Sequence, residues 1–237
     1  MKKLLIILLL LPLLAKSQTG RFEGIGIFKI GSDTSVIYQY AEQLKTKVQV
    51  NDDERKYLKL KFSYSSNKKD IFKFVVGKND KYNTMSLSYC LDVTTFYISV
   101  YEVSGISLKN LTLVYYKNRL IKADCESNKD LVDAMRVKYG EPDRTFKTDT
   151  VNCVYNLTGV TRKLVAEHFT DEWKNGAIKA ESFLSKYYDD HCNAKYQNIF
   201  LFSEANSEFD NCDEEYRAKK RQDDNKPKVS KDKLKDF

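Results

Sequence analysis

The chain has 237 residues, of which 42% are hydrophobic, and it contains only three prolines and nine glycines. This composition supports a folded core of one large domain or two small ones, and it excludes low-complexity and collagen-like proteins. The formal net charge is +7, but much of the excess lies in the first 17 residues and in the charged segment 213–237. The body between them is nearly neutral, which argues against a nucleic-acid partner.

The first residues have the pattern of a secretory signal peptide. Two lysines precede an apolar run from Leu4 to Leu14, and Ala15 and Ser17 supply the small residues that signal peptidase recognises. The run is shorter than the roughly 20 residues of a membrane-spanning helix, and no cysteine follows it to carry a lipid. We therefore predict a signal peptide at 1–17, no transmembrane segment, and an exported protein that is periplasmic or extracellular.

The first half of the mature chain is rich in strand patterns. After an extended apolar entry, a helix is predicted from Thr34 to Lys45, because capping residues precede apolar residues at helical spacing. Further on, alternation of apolar and polar residues predicts strands, each with one buried face. These predicted strands cover 57–64, 71–76, 85–93 and 96–103.

Residues 111–142 form the most regular local pattern in the chain. Two alternating segments flank a polar turn at 117–119, which predicts a β-hairpin. A helix follows, beginning at Ser127 and Asn128 and ending at Gly140, a residue type that favours the end of a helix. No residue of this unit is chemically unusual, so we interpret it as structural.

The last third of the body has weaker patterns. Val165, Phe169 and Trp173 recur every four residues and predict a short helix. Strands are predicted at 150–157, 177–184 and 198–203. From residue 213 onward the chain is highly charged; its start can be helical, and the remainder is predicted to be a disordered tail.

Long runs of strands with few intervening helices predict an α+β fold. We expect one or more antiparallel β-sheets with a few amphipathic helices packed on one side. The α+β domain spans 18–212 and is either one unit or two units that meet near 104–108.

The tyrosine-rich strands suggest a face for binding a ligand such as a glycan, because a tyrosine ring is flat and apolar with a polar tip. The alternative is that these rings pack in the core. The candidate ligand-binding residues are Tyr97, Tyr101, Tyr115 and Tyr116.

The sequence offers little for catalysis. His168 and His191 are the two histidines, and neither belongs to a recognised hydrolase or nucleotide-binding motif. Four residues that can bind metals stand together at 189–192, but adjacent side chains point in different directions and cannot all bind one ion. We therefore predict no catalytic residue, no metal ligand and no cofactor.

Five cysteines are compatible with disulfide bonds in an oxidising compartment, with at least one thiol left over. Cys192 and Cys212 flank one predicted strand, and we predict that they form a disulfide. The alternative is that several of the five are buried free thiols. No pair has the C-x-x-C spacing of a zinc or redox site; the other three are Cys90, Cys125 and Cys153.

Four segments carry a resemblance to a known group of proteins: GIFKIGSDTSVIYQY, LTLVYYKNRLIKADCESNKDLVDAMRVKYGEP, EWKNGAIKAESF and NIFLF. In this pattern the chain resembles uncharacterised secreted proteins of Gram-negative bacteria, notably the Bacteroidetes. The layout is also similar to the small α+β domain of outer-membrane assembly lipoproteins, although this chain has more strands and no lipid-bearing cysteine. The resemblance implies no catalytic residue.

These observations together predict an exported, non-enzymatic protein that acts by binding another molecule. The expected partner is another envelope protein or a glycan. The alternatives are a dedicated glycan-binding module and a metal-dependent or histidine-dependent hydrolase that uses His168 or His191.

Overall fold

The computed structural model describes residues 21–62, 70–75, 87–88, 90–154, 159–189 and 191–224. Within these ranges the fold is α+β, as predicted: a nine-stranded, mostly antiparallel sheet, a two-stranded ribbon and four helices. The predicted signal peptide at 1–17 and the end of the tail at 225–237 lie outside the described residues. None of the described helices is long and apolar enough to cross a membrane.

The chain enters through a two-stranded ribbon and a helix that lie on the sheet. Gly26 forms the ribbon turn with φ of 59°, and a Cβ there would collide with the hydroxyl of Tyr101. That hydroxyl accepts a hydrogen bond from the backbone N–H of Ile27 at 3.1 Å. The helix confirms the prediction at 34–45. The elements are β1 (Gly24–Ile25), β2 (Phe28–Lys29) and α1 (Ser35–Gln43).

The next segment contains a correction. Residues 57–62, predicted as part of a strand, belong to a helix. Tyr57 and Lys61 are four residues apart, so in a helix they share one face, and this face contacts the sheet. The leucines and lysines at 58–61, which were predicted to alternate between the two faces of a strand, instead point in different directions around the helix. The elements are β3 (Val48–Asn51), α2 (Glu54–Phe62) and β4 (Ile71–Phe74).

Three long antiparallel strands form the centre of the sheet. Ser104 and Gly105, near the proposed meeting point of two units, make the turn of a continuous hairpin. Lys117 and Asn118 make the next turn with positive φ values of 49° and 61°, which suit a tight hairpin. The predicted strand at 85–93 was wrong for its described residues before Val93, which belong to no strand and precede β5. The elements are β5 (Val93–Val103), β6 (Ile106–Tyr116) and β7 (Arg119–Glu126).

Helix α3 (Lys129–Tyr139) follows and confirms the predicted capping residues. The side chain of Asn128 accepts a hydrogen bond from the backbone N–H of Leu131 at 2.8 Å. Gly140 ends the helix with φ of 88°. The helix carries the chain across the sheet to its far edge.

Four antiparallel strands then return from that edge to β7. Residues 165–173, predicted as a helix, lie within a 15-residue strand. Spacing by four residues is also an even number, so Val165, Phe169 and Trp173 share one face of a strand as well as of a helix. The elements are β8 (Asp143–Val154), β9 (Thr161–Asn175), β10 (Ile178–Tyr188) and β11 (Ala194–Glu204).

The sheet order is β3-β4-β5-β6-β7-β11-β10-β9-β8, in which only the β3–β4 pair is parallel. One face, which we call the core face, packs the ribbon, α1 and α3 around Phe96, Ile98 and Leu113. The opposite face, the back face, packs α2 against Phe74 and Tyr97. The expectation that the helices lie on one side is therefore met by α1 and α3, but not by α2 or by the last helix, which also contacts the back face.

The last helix, α4 (Ser207–Asp224), crosses the predicted start of the charged tail at residue 213. It contacts the back face through the ring of Phe209, whose centroid lies 5.8 Å from that of Tyr116. A disulfide between Cys90 and Cys212 links the helix to the chain before β5. The helical start of this segment agrees with the sequence.

Candidate functional site

Part of the sheet extends beyond the helices. Strand β7 ends at Glu126, opposite Ile199, so residues 194–198 of β11 have no β7 partner. We call the region formed by residues 146–154, 161–169, 184–188 and 194–198 the open half-sheet. Within β8, every residue is exposed apart from Cys153.

An apolar stripe crosses three strands of the open half-sheet on the core face. Phe146 pairs with Phe169 across β8 and β9, and Phe169 pairs with Leu184 across β9 and β10. The two phenyl rings stack with centroids 4.5 Å apart. These three side chains are 53%, 38% and 45% exposed, so the stripe is a partly exposed apolar surface and not part of the core. Val165, Tyr196 and Val154 are exposed on the same face.

An ion cluster centred on the buried carboxylate of Asp171 lies between the stripe and the covered core. The carboxylate of Asp171 accepts hydrogen bonds from Arg144 at 2.6 and 2.7 Å and from Arg136 of α3 at 2.9 Å. The bonds to Arg144, followed by those to Arg136, hold the pKa of Asp171 below its usual value although burial opposes this. Because Arg136 lies in the last turn of α3, the cluster lies at the end of this covering helix.

The back face of the open half-sheet brings three residues into line. His168 pairs with Ser185 across β9 and β10, and its Nδ1 lies 3.1 Å from the Ser185 hydroxyl. Its Nε2 lies 3.4 Å from a carboxylate oxygen of Asp149 on β8. A hydroxyl, an imidazole and a carboxylate in this order are the components of a nucleophile with its base. The site is open, since the side chains of His168 and Asp149 are 35% and 73% exposed.

The second histidine does not join this arrangement. His191 lies in the β10–β11 loop, where its backbone N–H donates to Asp189 at 3.0 Å. Asn193 and Lys195 also bind Asp189, and these bonds lower the pKa of its carboxyl to about 2. Among the described residues no group of three metal-ligand types could hold an ion.

The four candidate tyrosines do not form a binding face. Tyr97, Tyr101, Tyr115 and Tyr116 are all buried, with exposed fractions of 7% or less. The hydroxyl of Tyr97 donates within the core, lying 2.6 Å from Asn110. The prediction was wrong because helices cover β5 and β6 on both faces of the sheet. A tyrosine on these strands is therefore buried whichever face it points to.

The disulfide prediction was also wrong. Cys192 bonds to Cys153, and Cys212 bonds to Cys90, each with Cα atoms 5.8 Å apart. The first bond links the end of β8 to the β10–β11 loop, across the far end of the open half-sheet. Cys125 is a buried free thiol, and burial raises its pKa. Two disulfides indicate an oxidising, exported environment.

A buried polar network under α2 was not anticipated from the sequence. Lys61 donates to Asp124 at 3.1 Å and to the hydroxyl of Tyr57 at 3.1 Å, and that hydroxyl lies 3.2 Å from Thr112. Burial opposes the charged form of Lys61, but Asp124 and Tyr57 outweigh it and raise the pKa of the amine. Every member has a partner, so the network positions α2 on the sheet.

A cavity of about 430 Å³ opens beside the end of α3. Trp173 lines it, but its indole N–H already donates to the carbonyl of Gly140 at 2.8 Å. Glu172, also in the wall, forms ion pairs with Lys174 at 2.5 Å and Lys179 at 3.2 Å. Because these polar groups already have partners within the protein, the cavity is a weaker candidate for a ligand site than the stripe.

No protein-family model, curated protein or solved structure matches this chain.

Proposed function

We propose that this protein is exported, to the periplasm or the extracellular space, and acts without catalysis by binding another protein through the apolar stripe. The observation that carries the proposal is the exposed alignment of Phe146, Phe169 and Leu184, in the part of the sheet that none of the described helices covers. Aromatic and leucine side chains that are aligned and partly exposed in this way are typical of protein interfaces.

The surroundings of the stripe support a protein partner. Glu167 and Lys186 pair directly beside it on the same face, so both signs of charge border the apolar residues. A polar rim around an apolar centre is the usual arrangement of a protein interface. The Cys153–Cys192 bond supports the same reading, because it holds the far end of the strands together without covering helices.

A site-specific photo-crosslinker tests the proposal. Placed at Phe169 in cells that export the protein, it should form a discrete adduct with a second protein that differs in mass from two copies of this chain. Placed at Val151, on the back face of β8, it should give no adduct with a different protein. Combining Leu184→Asp with the crosslinker at Phe169 should abolish the adduct.

Two results would argue against a protein partner. An absence of adducts from every stripe position would reject the stripe as an interface. Binding to glycans on an array that is lost in Phe146→Thr would instead support the glycan-binding alternative. Phe146→Thr keeps a residue that suits a strand, so loss of binding would not reflect loss of the fold. The likeness to secreted Gram-negative proteins stays a prediction.

The line of Asp149, His168 and Ser185 favours a second candidate, a histidine-dependent hydrolase. Its exposure weakens this candidate, because such groups act best where water is excluded. If it is correct, the purified protein should cleave simple chromogenic esters, and Ser185→Ala should abolish turnover. Activity equal in the wild type and in Ser185→Ala would reject it.

A further inference from the structure

Strand β8 is the free edge of the sheet. It pairs with β9 over its whole length, from Asp143 to Val154, without a bulge, and none of the described strands pairs with its other side. Alternate residues of such a strand direct backbone N–H and C=O groups outward. The opposite edge, β3, has only four residues. An edge as long and regular as β8 is a template for a further strand.

We propose that β8 pairs antiparallel with β8 of a second copy of this chain, and that the two sheets join into one around a twofold axis at Thr148. In a twofold pairing perpendicular to the sheet, residues that face each other lie on the same face. The register must therefore centre on a residue, and the charges of β8 select which residue that is.

Four registers pair most of the strand, and they are centred on residues 147, 148, 149 and 150. Three of these registers are electrostatically unfavourable or neutral. A centre at Lys147 places the two copies of Lys147 opposite each other, and a centre at Asp149 does the same with two carboxylates. A centre at Thr150 places Lys147 and Asp149 opposite uncharged residues, at positions 153 and 151. Like charges directly opposite each other destabilise a strand pair.

A centre at Thr148 places Lys147 opposite Asp149 of the partner, and symmetry produces this pair twice. Lysines on edge strands usually prevent such pairing. Here Asp149, two residues after Lys147, would form an ion pair with Lys147 of the second copy. Among the described residues Lys147 forms no ion pair and Asp149 forms one with His168, and both residues are exposed.

The same register extends the apolar stripe. Phe146 would lie opposite Thr150 of the partner, and Thr150 pairs with Val165 one strand further on. The exposed ring would then continue into the stripe of the second copy. The charge match and the apolar continuation arise from different faces of β8, and both are satisfied by one register.

Charge reversal tests the register in the full mature chain, purified from an exporting host so that both disulfides form. Sedimentation across micromolar concentrations should show a dimer. Lys147→Glu should weaken it by about tenfold, because two attractive contacts become repulsive. The double variant Lys147→Glu with Asp149→Lys should restore the wild-type affinity. A monomer at all concentrations, or a single reversal without effect, would overturn the proposal.

Crosslinking provides an independent test at the symmetry axis. Thr148→Cys should form an intermolecular disulfide with itself, because facing residues in antiparallel strands have Cα atoms about 4.5–5.5 Å apart. Thr150→Cys, on the same face, should not crosslink with itself, since its partner is Phe146. Equal crosslinking of both variants would contradict a register centred on Thr148.

Discussion

Single residues decide where the covered core ends and the open surface begins. Asp171 binds Arg136 of α3 and Arg144 of β8 in one cluster, so one carboxylate joins the covering helix to the edge strand. Its side chain is 10% exposed, and removal of its charge would leave two cations facing each other. This residue therefore controls the attachment of α3 more than any exposed ion pair can.

We expect Asp171→Asn to lower the free energy of unfolding at pH 7 by about 2 kcal/mol, as for a partly buried ion pair that loses one partner. The folded-state pKa of Asp171 lies below its ordinary value of 3.8. Its contribution is therefore present above about pH 4 and is lost as the pH falls through the folded-state pKa.

Urea unfolding at several pH values measures this effect. The difference between wild type and Asp171→Asn should be largest at neutral pH and should shrink below pH 4. Asp143→Asn, at an exposed site of the neighbouring strand β8, serves as the control and should change stability by less than about 0.5 kcal/mol. A difference that stays constant down to pH 2 would contradict the role of the carboxylate.

At the scale of elements, local patterns succeeded where capping and turn chemistry decide the outcome. Asn128 and Gly140 mark the ends of α3 because each satisfies a local backbone requirement. The patterns failed for α2 and β9. Tyr57 and Lys61 belong to a helix because their partners lie on the sheet, and this contact is invisible in the local sequence.

The disulfides act on different elements, and this leads to a second prediction. Replacing Cys153 and Cys192 by alanine should lower the free energy of unfolding by up to about 4 kcal/mol, from the loop that the bond closes. Amide hydrogen exchange in β8 should become faster in this variant, because the bond links β8 to the β10–β11 loop. Exchange in β5 and β6, which helices cover on both faces, should change least.

The matched variant lacks Cys90 and Cys212. It should destabilise the attachment of α4 and accelerate exchange in that helix, while exchange in β8 should follow the wild type. If both double variants accelerated exchange uniformly, the open half-sheet and the core would form one cooperative unit, and the separation described above would be wrong.

At the scale of the whole molecule, the chain combines a covered core with an exposed sheet surface. The two disulfides link chain segments separated by 122 and 39 residues, so they depend on the tertiary fold. Their presence agrees with an exported protein, as the N-terminal sequence predicts.

We expect thiol labelling of the exported protein to reveal a single free cysteine, and only after unfolding. Cys125 is 2% exposed, and burial raises its pKa, so both access and ionisation limit its reaction. Peptide mapping should recover the Cys90–Cys212 and Cys153–Cys192 pairs. Rapid labelling of the native protein, or a peptide joining Cys192 to Cys212, would contradict the structure.

The sequence by itself determined the fold class, the regular unit from β6 to α3, and the prediction of export. These features depend on local periodicity, on turn and capping residues and on the composition of the first residues, all of which can be read within short windows. The sequence left two interpretations of the tyrosine-rich strands, a ligand-binding face or core packing, and it did not show that helices enclose those strands.

Only the tertiary structure decided which surfaces remain exposed. Phe146, Phe169 and Leu184 resemble core residues in the sequence, and the buried tyrosines resemble a binding face. The outcome depends on where β7 ends and where α3 stops, since no described element covers the apolar residues beyond both. Burial, strand register and cysteine pairing all arise from contacts between distant segments, and no local window contains both partners.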